Sequence, residues 1–169
     1  MEAGSVETIV RVFNANGIRY LIAGGLAVVA HGYVRFTADV DVIIDLEPAN
    51  LSQAISALAQ LEYRPRAPVG LDEFVDPERR LRWVREKGLT VFSLYSSRHP
   101  ATEINLFVEM PLDFERAYQA AARMEVAPGV PATFIGLEDL LRLKRQAGRP
   151  QDRLDIEKLT ALRRGATDA

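Results

Sequence analysis

The chain has no cysteine, two histidines and three lysines among its 169 residues. The first absence excludes a disulfide scaffold, thiolate zinc sites, iron–sulfur clusters and a cysteine nucleophile. With so few imidazoles, a metal must be held mainly by carboxylates, which points to Mg²⁺, Mn²⁺ or Ca²⁺ rather than zinc. Long apolar runs are missing as well. An apolar run near the start, Leu21 to Ala30, is ten residues and is interrupted by Gly24 and Gly25, against the ~20 needed to cross a bilayer. The N-terminus carries Glu2 and Glu7 instead of the basic and then apolar order of a secretory signal, so the expected compartment is the cytoplasm and no membrane contact is expected. Net charge is only -2, which argues against bulk attraction to nucleic acid. Arginine outnumbers lysine 18 to three; guanidinium suits planar phosphate recognition, and a coding bias explains the ratio equally well.

What is present describes an ordinary folded domain. Hydrophobic residues make up 48% and charged residues 26%, so neither a disordered tail nor a collagen-like repeat fits. Residues 5 to 15 read as an amphipathic helix with Val6, Ile9, Val10 and Phe13 in its stripe. A short strand from Arg19 to Ala23 runs into Gly24-Gly25, and Leu26 to Ala30 follows as a small helix stopped near Gly32. From Ala38 to Leu46, Val40, Val42 and Ile44 alternate with Asp39, Asp41, Ile43 and Asp45, a period of two that only a strand satisfies. Helices are expected at Pro48 to Leu61, Pro77 to Lys87 and Pro111 to Ala122, and strands at Leu89 to Tyr95 and Thr102 to Glu109. In the helix at Pro77, Leu81, Trp83 and Val84 are expected to pack inward and the cations to be solvated. The stretch to residue 76 is ambiguous, and the segment before Leu137 reads as extended. The chain ends in a helix pair, Leu137 to Ala147 and Pro150 to Arg163, split by Gly148-Arg149-Pro150. This order predicts an α+β fold: a mixed β-sheet flanked by helices, with a core over residues 1–136 and a C-terminal helical segment over 137–169 packed on it.

Chemistry concentrates in Tyr20 to Ile44. A strand that ends in Gly-Gly at the start of a helix leaves backbone N–H groups open to an anion, because no Cβ intervenes. About fifteen residues later Asp39 and Asp41 share one face of a strand, with Cβ atoms roughly 6 to 7 Å apart. Two carboxylates so placed repel each other unless a cation sits between them, and together they can hold the Mg²⁺ of a phosphoryl or nucleotidyl transfer.

Gly24-Gly25 followed by Asp39-Val40-Asp41, with His31-Gly32, Arg35 and Thr37 between, resembles the nucleotidyltransferase fold superfamily. At the tail, Leu137-Glu138-Asp139-Leu140 and Lys144, then Arg149, Asp152 and Asp155, resemble the motifs of abortive-infection (AbiE-type) toxin nucleotidyltransferases. The resemblance spans about residues 16 to 160. It implies an Mg²⁺- or Mn²⁺-dependent enzyme that moves a nucleoside monophosphate from a nucleoside triphosphate (NTP) to an RNA such as tRNA, a protein or a small molecule. An antitoxin-like partner protein would go with the toxin-like members.

In this reading Gly24, Gly25, Arg35 and Thr37 contact the nucleotide, Asp39 and Asp41 hold the metal, and Lys144 steadies the phosphates. Such enzymes carry a third carboxylate on a later strand, and the matching position here is Asn105. An amide can ligate a cation but cannot take a proton from an attacking hydroxyl. Glu103, two residues away on the same face, is the substitute candidate. Hence a second reading stands beside the first: a catalytically weakened binding module of the same fold. Lys144 could equally be a solvated lysine with its stem on the core, and Arg149, Asp152 and Asp155 a structural network between the last helices. His31 reads as a structural histidine.

Overall fold

A computed structural model describes residues 1–167 of the chain; positions 168 and 169 of the expected C-terminal segment lie outside the described residues. The elements run α1 (Ala3–Ala15), β1 (Tyr20–Ile22), α2 (Gly24–Ala30), β2 (Asp39–Ile44), α3 (Pro48–Gln60), β3 (Tyr63–Pro65), α4 (Pro77–Lys87), β4 (Val91–Ser96), β5 (Glu103–Phe107), α5 (Phe114–Gln119), β6 (Ala122–Ala127), β7 (Val130–Phe134), α6 (Leu137–Ala147) and α7 (Pro150–Thr167). A single 3-10 turn at Asp72–Val75 precedes α4. The strands form one mixed seven-stranded sheet in the order β3-β4-β5-β2-β1-β7-β6, so the architecture is the expected α+β one.

Side-chain alternation explains how the layers divide. Val40 and Val42 of β2, Tyr20 and Ile22 of β1, and the α1 stripe Val6, Ile9, Val10 and Phe13 close on one another with no room for water between them. Leu106 and Phe92 continue that face across β5 and β4, because Val42 pairs with Leu106 and Leu106 with Phe92. Trp83 of α4 stacks on Phe92 at 5.1 Å between centroids, and Phe74 meets the same ring at 5.1 Å. The opposite face carries Asp39 and Asp41; α2 packs there against β2, and α6 joins α2. The helices begin and end where local chemistry dictates. The Asp76 carboxylate accepts from the Glu78 N–H at 2.8 Å to cap α4, and Gly88 and Gly148 close α4 and α6 at positive φ.

Several expectations needed correction. The helix expected over Pro111 to Ala122 shrinks to α5, since Ala122 already pairs with Phe134 in the β6–β7 hairpin; that hairpin is what read only as an extended segment. The ambiguous stretch contains β3, which pairs antiparallel with β4. In α4, Leu81 is exposed rather than packed, while Arg80 is buried. Its Nη1 donates to the Phe74 and Val75 carbonyls, so burial lowers its pKa without leaving it unsatisfied. Ile43, which interrupts the acidic face of β2, is buried.

Phe92, clamped between two aromatic rings, is where this side of the core is most exacting. Phe92→Ala is expected to cost about 3–5 kcal/mol, read as a lowered urea midpoint with an unchanged slope.

Candidate active site

The parallel pairing of β2 with β5 sets Asp39 opposite Glu103 and Asp41 opposite Asn105, and the antiparallel pairing of β4 with β5 sets Ser93 opposite Asn105. Directly paired residues share a face, so all five converge beside α2. Asn105 Nδ2 donates to Asp39 Oδ2 at 2.8 Å and to Asp41 Oδ1 at 3.1 Å. Its Oδ1 accepts from Ser93 Oγ at 2.6 Å. The opposite orientation would turn an amide oxygen onto two carboxylates, so the amide can face only this way. Asn105 therefore clasps the acidic pair as a donor.

Gly24 is demanded twice. Its φ is +59°, and a Cβ there would lie 1.7 Å from Asp41 Oδ2. The Ala23 N–H donates to the Asp41 carbonyl at 2.8 Å, fixing the α2 start against β2. A Cβ on Gly25 would lie 2.3 Å from Thr37 Oγ1 and 3.2 Å from Arg35 Nη2. Gly24, Gly25, Arg35, Thr37, Asp39, Asp41 and Asn105 thus form one cluster.

Burial and then the neighbouring Asp39 raise the pKa of Asp41, while the Asn105 hydrogen bond, Arg149 and Lys144 work the other way. The net direction is upward, so folding disfavours the charged form, a cost that disappears as pH falls through the raised pKa.

Glu103 stands on the same face but is turned to a different task. It forms a bidentate ion pair with Arg66, one arm being Nε to Oε2 at 3.0 Å. Hydrogen bonding from Arg66 holds its pKa below the usual carboxylate range, and the Arg66 guanidinium lies 5.4 Å from the Tyr95 ring centroid.

The tail residues converge on a buried network. Lys144 Nζ lies 2.7 Å from Asp155 Oδ2 and 3.1 Å from Asp152 Oδ1, with side-chain exposures of 5%, 0% and 1%. The Arg35 fork grips Asp155 through Nε and Nη2, both at 2.8 Å. Arg149 Nε meets Asp152 Oδ2 at 2.8 Å. In Asp152 burial pushes the pKa up, and the hydrogen bonds from Arg149 and Lys144 outweigh it, so both carboxylates stay below their ordinary value. Lys144 is thus neither solvated nor extended from the core. His31 Nε2 lies 2.8 Å from the Ile135 carbonyl oxygen, in keeping with a structural histidine.

Two contributors went unread in the sequence, Ser93 and Arg66. Ser93 is one unremarkable position of a strand, and only the register with β5 makes it Asn105's anchor. Arg66 lies in the stretch without a readable pattern.

The donor set is hard oxygen: two carboxylates at one spot, with backbone N–H groups and arginines at its edge. Among the described residues no group of three or more His, Asp or Glu side chains could hold a metal, so a cation here would rest on Asp39 and Asp41. The pair fits a hard dication, since such an ion offsets the burial and the repulsion that raise Asp41.

No family model matches the chain, and no curated protein matches it in sequence. Solved structures similar in fold include the following two. ANT(2")-Ia, in complex with adenylyl-2"-tobramycin, superposes with a TM-score of 0.56 at 14% identity, over 98% of this chain and 91% of that one. The lincosamide antibiotic adenylyltransferase LnuA, lincomycin-bound, gives 0.55 at 15% identity, over 90% and 92%. The chain shares the fold of these two structures.

Two outcomes follow from the packing of the pair. Gly24→Ala is expected to lose about 2 kcal/mol or more, measured by urea unfolding, because it adds positive-φ strain to a clash with Asp41. Asp41→Asn keeps an acceptor for Asn105 while removing a disfavoured charge, so in chelator at pH 7 it should raise the thermal midpoint by a few degrees.

Proposed function

We propose that this protein is a nucleotidyltransferase that moves a nucleoside monophosphate from an NTP to an acceptor hydroxyl, with Mg²⁺ or Mn²⁺ held by Asp39 and Asp41. The observation that carries the reading is Gly24, whose missing Cβ leaves the space that Asp41 Oδ2 occupies, joining the anion cradle and the acidic pair in one site. When bound, the cation supplies Lewis-acid stabilisation of the phosphoryl oxygens. In the reaction the acceptor oxygen bonds to the α-phosphorus, the bond from that phosphorus to the bridging oxygen breaks, and pyrophosphate leaves while the hydroxyl proton passes to solvent. The α2 N–H groups at Gly24 and Gly25 receive phosphate oxygens, aided by Arg35. Asn105 holds both carboxylates in register.

The candidate acceptors are tRNA or another RNA, a protein side chain and a small molecule. The adenylylated tobramycin and the lincomycin of the two structural neighbours make an antibiotic-like hydroxyl a concrete small-molecule case. A toxin-like role with an antitoxin-like partner is the alternative that the tail motif supports. One specific observation favours the second reading, a weakened binding module. Asn105 donates N–H to both aspartates, leaving no third carboxylate to act as base.

Incubation with each α-³²P-labelled NTP, with Mg²⁺ or Mn²⁺, in the presence of tRNA, tobramycin, lincomycin or the protein alone decides between them. Transfer is expected, and Asp39→Ala/Asp41→Ala should reduce it about a hundredfold or more. Transfer that is unchanged in the double variant contradicts the reading, and nucleotide binding without transfer supports the module.

A further inference from the structure

We propose that Arg149 and Arg35 form a two-pronged receptor for the β- and γ-phosphates of the nucleotide, that Asp152 and Asp155 are positioning residues that aim them, and that Lys144 is a buried counter-cation rather than a phosphate ligand. The inference rests on the nucleotidyl-transfer reading and deepens it.

Burial separates the members of the network by role. Lys144, Asp152 and Asp155 are almost wholly enclosed, whereas the Arg149 side chain is 73% exposed. Lys144 spends its charge on the two carboxylates and is enclosed too deeply to meet a ligand in solvent. Arg149 uses Nε, Nη2 and its backbone N–H on Asp152, while its Nη1 has no protein partner among the described residues. Arg35 uses Nε and Nη2 on Asp155 and Nη1 on the Phe36 carbonyl. That guanidinium sits where a Cβ on Gly25 would find it 3.2 Å away, directly at the backbone cradle. Each nitrogen of a guanidinium fork except Nε carries two N–H groups, so donors remain on both arginines.

The charge balance points the same way. Three cations face two carboxylates, which leaves one positive charge in excess at the edge of the site. A network serving only to staple α6 to α7 would gain little from an exposed arginine, since solvent-exposed ion pairs contribute little to stability. What two buried carboxylates do fix is where the guanidiniums stand, and preformed forks match phosphate oxygens bidentately. The C-terminal helix pair thereby becomes part of the site.

The test is calorimetric binding of ATP, pyrophosphate and AMP, with Mg²⁺, to the full chain and its variants, with thermal midpoints recorded alongside. Arg149→Gln should weaken ATP and pyrophosphate about tenfold or more, leave AMP within about twofold, and leave the midpoint unchanged. Arg149→Lys should recover part of the loss, and Asp152→Asn should weaken ATP in the same direction with Arg149 still present. If Arg149→Gln binds ATP as wild type does, the inference falls and the nucleotidyltransferase reading stands. If it weakens ATP and AMP equally and lowers the midpoint, Arg149 is structural and the inference again falls. If wild type binds none of the three, both fall.

Discussion

The repulsion between Asp39 and Asp41 is the constraint around which this molecule is arranged. Strand geometry puts the two carboxylates on one face of β2, and burial raises the cost of charging the second. Each neighbour answers that cost in a different way. Asn105 bridges the pair with its amide N–H groups, Ser93 keeps the amide from turning, and Arg149 and Lys144 add positive field from the tail. Gly24 provides the space, because any Cβ would displace Asp41 Oδ2. The core on the far face of the sheet, with α1 and α4 closed over β1, β2 and β4, makes this register rigid.

The C-terminal helices are tied to the rest of the molecule by ions as well as by the buried Leu140, Leu141 and Leu159. Asp155 links α7 to Arg35 in the connection before β2, and Asp152 links it to Arg149 at the α6–α7 turn. Truncating one of the enclosed members, Lys144 or Asp155, would leave buried charge uncompensated, which is strongly destabilising, so the tail and the start of α2 are coupled.

The parts legible in the sequence were those fixed by local rules. A period of two over Asp39 to Ile44 gives the strand and its acidic face, and Gly-Gly after a strand marks the start of α2. The amphipathic stripe of α1 and the glycine that closes α6 were readable for the same reason. What was hidden depends on which strands become neighbours. Ser93 acquires its role through pairing with Asn105, and Arg66 through pairing with Glu103, and neither partnership leaves a mark along the chain. The β6–β7 hairpin was obscured because Pro131 and Gly129 break the alternation that marks a strand. Lys144 and Arg80 were hard to place because a cation is buried only where partners from distant residues meet it: Asp152 and Asp155 in one case, backbone carbonyls in the other.

The central claim is that the Asp39–Asp41 pair is a divalent-cation site held open by Asn105 and Gly24. Titration of Mn²⁺ followed by electron paramagnetic resonance, on wild type and on Asp41→Asn, tests it most directly. The account predicts saturable Mn²⁺ binding in wild type, competed by Mg²⁺, and its loss in the variant while the fold is retained. Equal binding in both proteins, or none in wild type with or without nucleotide, would contradict it.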